Sequence, residues 1–149
     1  MKKILCIAVM ILSMVLTVSA QQNVSGDYVG KFTRVYMRGE KSLPEQNFTT
    51  TVSQNNSLIS LHIAPFKIGR MPGFIEVNAN DIVLKEDGSF EQMVEEGIHL
   101  HIPVVLDGLY TAKVTGTLKN NVLTYTIESV DATFWGVSFT AIVGFKGTR

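Results

Sequence analysis

The run Tyr110-Thr111-Ala112-Lys113-Val114-Thr115-Gly116-Thr117-Leu118-Lys119, followed after Asn120-Asn121 by Val122-Leu123-Thr124-Tyr125-Thr126-Ile127, decides the fold. Side chains alternate between the two faces of an extended chain, so Tyr110, Ala112, Val114, Gly116 and Leu118 share one face while the threonines and lysines take the other. Leu123, Tyr125 and Ile127 repeat the pattern beyond the turn, and Val137, Phe139, Ala141, Val143 and Phe145 repeat it near the C-terminus. This is the pattern of strands with one buried face. No stretch shows the 3.6-residue period of an amphipathic helix.

Working backward from this hairpin, strands are expected near Asp27 to Met37, Asn47 to Ser53, Leu58 to Ile63, Phe74 to Val77, Asp81 to Lys85, Ser89 to Val94 and Ile98 to Leu106. The total is nine or ten. Asn55-Asn56, Asp87-Gly88, Asp107-Gly108 and Asn120-Asn121 supply residues that tolerate the left-handed backbone of tight antiparallel turns. Consecutive hairpins make a meander, and a meander exposes two edges unless its first and last strands meet. The expected fold is therefore all-β, an antiparallel up-and-down barrel, with a two-sheet sandwich as the other arrangement compatible with the same alternation.

The N-terminus reads Met1-Lys2-Lys3, an apolar stretch from Ile4 to Val18, then Ser19-Ala20, the order of a secretory signal cleaved after Ala20. About 15 apolar residues are too few to span a hydrocarbon core that needs about 20. Cleavage removes Cys6, the sole cysteine, and leaves 11 basic against 13 acidic residues, a formal net charge of −2. The exported domain, residues 26–149 after a short polar connection at 21–25, must then be held by its core without a disulfide. There is no basic footprint for nucleic acid. The expected location is the periplasm or the outside of the cell, with no membrane span after cleavage.

Three short motifs carry a family likeness: the opening Gly26-Asp27-Tyr28-Val29-Gly30, the central Phe66-Lys67-Ile68-Gly69-Arg70-Met71-Pro72-Gly73, and Val114-Thr115-Gly116-Thr117-Leu118 before Asn120-Asn121. In their order and spacing the chain resembles the calycin-like β-barrel proteins exported by gut Bacteroidetes, a lipocalin-related group. The resemblance spans Gly26 to Arg149 and implies a barrel of about eight main strands, either filled by side chains or holding one small ligand. Lipocalins open with Gly-x-Trp, whose tryptophan plugs the barrel floor beneath a late arginine. Here Tyr28 stands at that position and Arg149 is the candidate counterpart.

Chemistry-bearing residues are sparse. His99 and His101 share a strand face and form a weak metal-site candidate, with Ile98, Leu100 and Ile102 on the opposite, inner face; His62 joins them only if its strand is adjacent. There is no Gly-x-Ser-x-Gly elbow and no cysteine after cleavage, and Glu95-Glu96 is a carboxylate pair only in sequence. No enzyme activity and no cofactor are expected.

Binding candidates come from the aromatic residues. If Tyr28, Gly30, Phe32 and Tyr36 face inward, Arg34 is forced inward with them and would hold a ligand's acidic group; the opposite register buries Val29, Val35 and Met37 with Lys31 between them. Arg38 to Gln46 is the longest polar connection, placed by the resemblance at the barrel mouth. Phe134 and Trp135 fall outside clean alternation, as a core plug or as an exposed contact site. Two functions follow as expectations. One is a noncatalytic exported protein binding a small, mainly apolar molecule in or at the mouth of the barrel through Phe32, Arg34, Tyr36, Phe134 or Trp135. The other is a structural or interaction module of the cell envelope that binds protein or glycan through its outer surface.

Overall fold

A computed structural model describes residues 22–67, 70 and 72–149. In chain order the strands are β1 (Gly26–Met37), β2 (Phe48–Asn55), β3 (Leu58–Phe66), β4 (Phe74–Val83), β5 (Ser89–Ile102), β6 (Leu106–Lys119), β7 (Val122–Ser129), β8 (Thr133–Phe134), β9 (Val137–Ser138) and β10 (Ala141–Thr148). Eight of them close an antiparallel barrel in the order β1-β10-β7-β6-β5-β4-β3-β2, while β8 and β9 form a separate two-stranded hairpin. β1 meets β10 from Val29↔Thr148 to Met37↔Ala141, and that closure removes both edges of the meander. The architecture is the one implied by the calycin-like resemblance. The signal-peptide reading of residues 1–20 lies outside the described residues, as do Ile68, Gly69 and Met71 of the central motif.

The chain has ten strands, within the expected nine or ten, but they are divided differently because two expected breaks are bulges. Asp81 (φ +55°) and Glu96 (φ +55°) each take the left-handed backbone inside a strand. The β5–β6 register slips between Val94 and Ile98, and the β3–β4 register between Ile59 and Leu61. A bulge bends a strand without ending it, so β4 and β5 run on through sites that read as turns. Where β4 and β5 separate, the Gln92 side chain replaces the ladder: its Oε1 accepts from the Val83 N–H at 3.1 Å and its Nε2 donates to the Asp81 carbonyl at 2.8 Å.

Asp107-Gly108 is not a turn. Both residues lie in β6, opposite His101 and Leu100, and the chain reverses instead through Pro103, Val104 and Val105. Gly108 has a packing reason: a Cβ there would come within 2.7 Å of the Tyr110 hydroxyl.

A third bulge settles which face of β1 is buried. The β1–β10 register shifts between Phe32 and Arg34, leaving Thr33 and Arg34 both exposed. Tyr28 and Phe32 point inward before the shift, and Val35 is buried after it with Met37 packed against the core. Each alternative register therefore holds over half of β1, and neither Arg34 nor Lys31 enters the lumen.

The interior is filled by rings. Tyr125 stacks on Phe145 at 5.3 Å, Phe145 meets Phe32 edge-on at 6.4 Å, and Phe32 stacks on Phe48 at 4.1 Å and contacts Phe66 at 4.8 Å. Gly116 leaves room for the bulk beside it, since a Cβ there would meet the Phe90 ring at 2.6 Å. The Tyr125 hydroxyl is hydrogen-bonded to Thr50 Oγ1 at 2.8 Å, and burial pushes its pKa well above the usual phenol value. Among the described residues no buried side-chain polar atom lacks a partner.

One end of the barrel, the floor, carries the tight turns Asn55–Ser57, Leu84–Gly88 and Asn120-Asn121. Residues 22–25 are fastened there: the Val24 N–H donates to Gln54 Oε1 at 2.9 Å, Ser25 Oγ accepts from the Gln54 N–H at 3.0 Å, and Val24 is buried. The other end carries residues 38–47, 67, 70, 72–73, 103–105 and 130–140, with the candidate Trp135 among them.

Candidate functional site at the loop end of the barrel

Residues 130–140 form a strap across the loop end. The Val130 N–H donates to the Thr111 carbonyl at 3.0 Å, Asp131 Oδ1 accepts from the Thr111 N–H at 3.0 Å, and the Tyr110 hydroxyl donates to the Thr133 carbonyl at 3.2 Å. The far side is tied by the Phe139 N–H to the Ala132 carbonyl at 2.9 Å and by the Ala141 N–H to Ser129 Oγ at 2.8 Å. Ala132 is buried, and Phe139 packs edge-on against Tyr110 at 6.2 Å. Beneath the strap lies an apolar void of about 20 Å³, bordered by Met37, Ile75, Leu100, Tyr110, Phe139 and Val143. That is room for about one water, against the few hundred cubic ångströms of ordinary ligand pockets.

The strap raises the β8–β9 hairpin outward. Thr133 pairs with Ser138 and Phe134 with Val137, and the two residues between them, Trp135 (φ +49°) and Gly136 (φ +75°), make the doubly left-handed turn that favours Asn-Gly. Trp135 is 83% exposed. It contacts solvent rather than plugging the core, which was the first of its two sequence readings. The β5–β6 turn has the same character: Val104 (φ +67°) is 109% exposed. A β-branched or bulky residue with positive φ is a genuine backbone outlier, costing about 1–3 kcal/mol where the surrounding structure enforces it.

The remaining candidates are dispersed. Phe32 belongs to the ring stack in the lumen. Arg34 lies on the outer wall, its Nη2 2.6 Å and Nε 2.9 Å from Glu40 Oε1, with its guanidinium carbon 5.6 Å from the centroid of the Tyr36 ring. The Glu40 carboxylate holds the Arg34 pKa above its already high ordinary value. An inward Arg34 holding a ligand's acidic group is thus ruled out by the bulge, because the face switch puts Arg34 and Tyr36 outside the ring stack.

His99 and His101 also lie outward, beside Phe74 and Asp107. His99 Nε2 is 2.5 Å from Asp107 Oδ1, its Nδ1 is 3.5 Å from Glu76 Oε2, and His101 Nδ1 is 3.5 Å from the same Asp107 oxygen. Phe74 stacks on the His101 ring at 4.9 Å. The Asp107 hydrogen bond, with Glu76 adding to it, raises the His99 pKa against the opposing effect of burial, and Asp107 is lowered in return. His62 is kept from this cluster by β4 and is hydrogen-bonded to Asn78 at 2.6 Å. Among the described residues no group of three or more His, Cys, Asp or Glu is arranged to hold a metal ion. Glu95 and Glu96 are both exposed beside the β5 bulge.

Sequence reasoning did not single out Val104, whose signal was an unremarkable Pro-Val-Val. Nor did it foresee that apolar exposure concentrates at this end. Leu43, Val104, Val105, Leu109, Val130, Trp135 and Val137 are all exposed there, leaving, among the described residues, Val29, Val83 and Met93 as the large exposed apolar residues elsewhere. Comparison with family models, with curated proteins and with solved structures finds no match to this chain.

Proposed function

We propose that the chain is an exported, noncatalytic interaction module of the cell envelope, a filled barrel that makes its contacts through the outer surface of its loop end with Trp135 foremost. One observation carries the reading: the apolar void beneath the strap is about 20 Å³, while the Trp135 side chain is 83% exposed on a left-handed turn. A ligand-binding barrel keeps space and a few unspent polar groups inside. Here the buried Thr50 and Tyr125 hydroxyls bond each other and the Ser129 hydroxyl holds the start of β10. The noncatalytic part of the proposal draws on the same point, since these hydroxyls are engaged in structural bonds.

The test is association with a fractionated envelope. Trp135→Ala should keep the fold, read by circular dichroism, and lose at least most of the retained protein. Unchanged retention with an unchanged fold would count against this surface.

A second reading, a small apolar molecule at the barrel mouth, rests on a separate observation. The void is lined by apolar side chains and roofed by residues of the strap alone, Ala132 and Phe139. Binding would require the strap to lift, trading the Phe139–Tyr110 contact for the ligand. A small molecule retained through purification would support it.

A further inference from the structure

The two most exposed large apolar side chains, Val104 and Trp135, occupy left-handed backbone positions on two different turns at the same end of the barrel. At the floor the corresponding positions hold Asn56, Gly88, Asn120 and Asn121, residues that accept this backbone readily. At the loop end Gly39 and Gly136 meet the same demand, but Val104 and Trp135 take the left-handed backbone where asparagine or glycine would relieve it, so turn geometry alone does not account for those two side chains. A strained residue held in place by the fold is a pointer to function.

The shape of the surface selects among partners. Val104, Val105, Leu43, Trp135 and Val137 project from three separate segments; the void beneath the strap is too small to receive a side chain from a partner, and the wider open cleft of about 670 Å³ at this end, between Asn47, Phe48, Ala64, Phe66, Lys67 and Phe74, is lined by none of them. The projecting tips are placed to insert. Tryptophan with scattered aliphatic tips suits the interfacial region of a bilayer, where the indole's apolar body and polar N–H are both accommodated. Charge points the same way. The loops at this end carry Arg38, Lys41, Lys67 and Arg70 against Glu40, Glu45 and Asp131, and Glu40 is already taken by Arg34. The remaining excess is positive, opposite in sign to the −2 of the chain without residues 1–20, and complements lipid phosphates.

The outer wall is unsuited to lipid. Lys31, Thr49, Thr51, Ser53, Lys113, Thr115, Thr117, Thr124 and Thr126 face outward, the inverse of the apolar band of a membrane-spanning barrel.

We infer that the loop end docks on an anionic phospholipid surface, with Val104 and Trp135 entering the interfacial layer and the barrel standing on it. This rests on the reading of the loop end as the contact surface and names what it contacts. Trp135 is the sole tryptophan of the chain, so intrinsic fluorescence reports the proposed contact directly. The exported form of the protein should be titrated with vesicles of phosphatidylethanolamine and phosphatidylglycerol. The expected result is a shift of emission to shorter wavelength, quenching by acyl-chain-brominated lipid, and weakening by added salt.

Val104→Asn keeps the reporter and suits the left-handed backbone. It should bind roughly fivefold more weakly, for the apolar surface withdrawn from the lipid, while its melting temperature is unchanged or higher. A purely structural Val104 would give the reverse, a lower melting temperature with unchanged binding, and would overturn the inference. Emission indifferent to millimolar vesicles would also overturn it. If Trp135→Ala nevertheless abolished retention by the envelope fraction, the contact surface would stand with a protein or glycan as its partner; if retention also persisted, both readings would fall.

Discussion

Arg149 lies over the ring of Tyr28, its guanidinium carbon 5.8 Å from the ring centroid, and joins the last residue of the chain to the first buried aromatic of β1. The guanidinium also donates to the Ser25 carbonyl and, at 3.1 Å, to Asn121 Oδ1, while the Tyr28 hydroxyl donates to the Val24 carbonyl at 2.9 Å. Floor, first strand and last strand are thereby locked together at the seam where the barrel closes. Arg149→Ala should lower stability by about 1 kcal/mol through the lost cation–π contact and carbonyl bonds. Urea unfolding reads the change, and a variant as stable as the parent would show that the seam closes without it.

The lumen stack gives a larger effect. Phe32 is in contact with Phe48, Phe66 and Phe145, so Phe32→Ala should cost about 3–5 kcal/mol and leave a cavity among the remaining rings. Benzene or xenon should bind the variant and not the parent. Equal uptake by both proteins would mean that the lumen is already open.

Between β4 and β5 the prediction is local. Gln92→Ala removes both bonds that bridge the seam and should speed amide exchange at Val83 with a loss of about 1 kcal/mol overall. Protection of Val83 equal to that of the parent would show that the backbone closes unaided.

The His99–Asp107 pair gives a pH signature. His99 holds its proton more tightly in the folded state than at its ordinary 6.5, so its contribution is complete below that value and is lost as pH rises through the raised folded pKa. Asp107 releases its proton more readily than at its ordinary 3.8, so its contribution is present above that value and is lost as pH falls through the lowered folded pKa. The pair is therefore most stabilising between the two ordinary values. Asp107→Asn should bring the His99 midpoint down, followed by imidazole proton resonances. A midpoint that does not move would mean that Glu76 alone sets it.

Legibility of the fold tracks the regularity of the backbone. β6 and β7 were readable because Ala112, Val114, Leu118, Leu123, Tyr125 and Ile127 alternate without interruption and all are buried. The bulges at Asp81, Glu96 and after Phe32 were not, because each depends on pairing with a neighbouring strand and leaves only a polar residue as its local trace. The same limit hid the site. Trp135 drew attention through its break in alternation, whereas its companion Val104 sits in a run of aliphatics that reads as a continuing strand. Only the real position of the β5–β6 reversal, three residues before the expected Asp107-Gly108, turns Val104 into a projecting tip.

The central claim is that this barrel works from its loop end with a filled interior. Native mass spectrometry of the protein purified from its own host tests it most directly. The predicted spectrum shows the mass of the polypeptide alone under conditions that preserve the fold. A retained apolar molecule of a few hundred daltons, released only on unfolding, would contradict the claim.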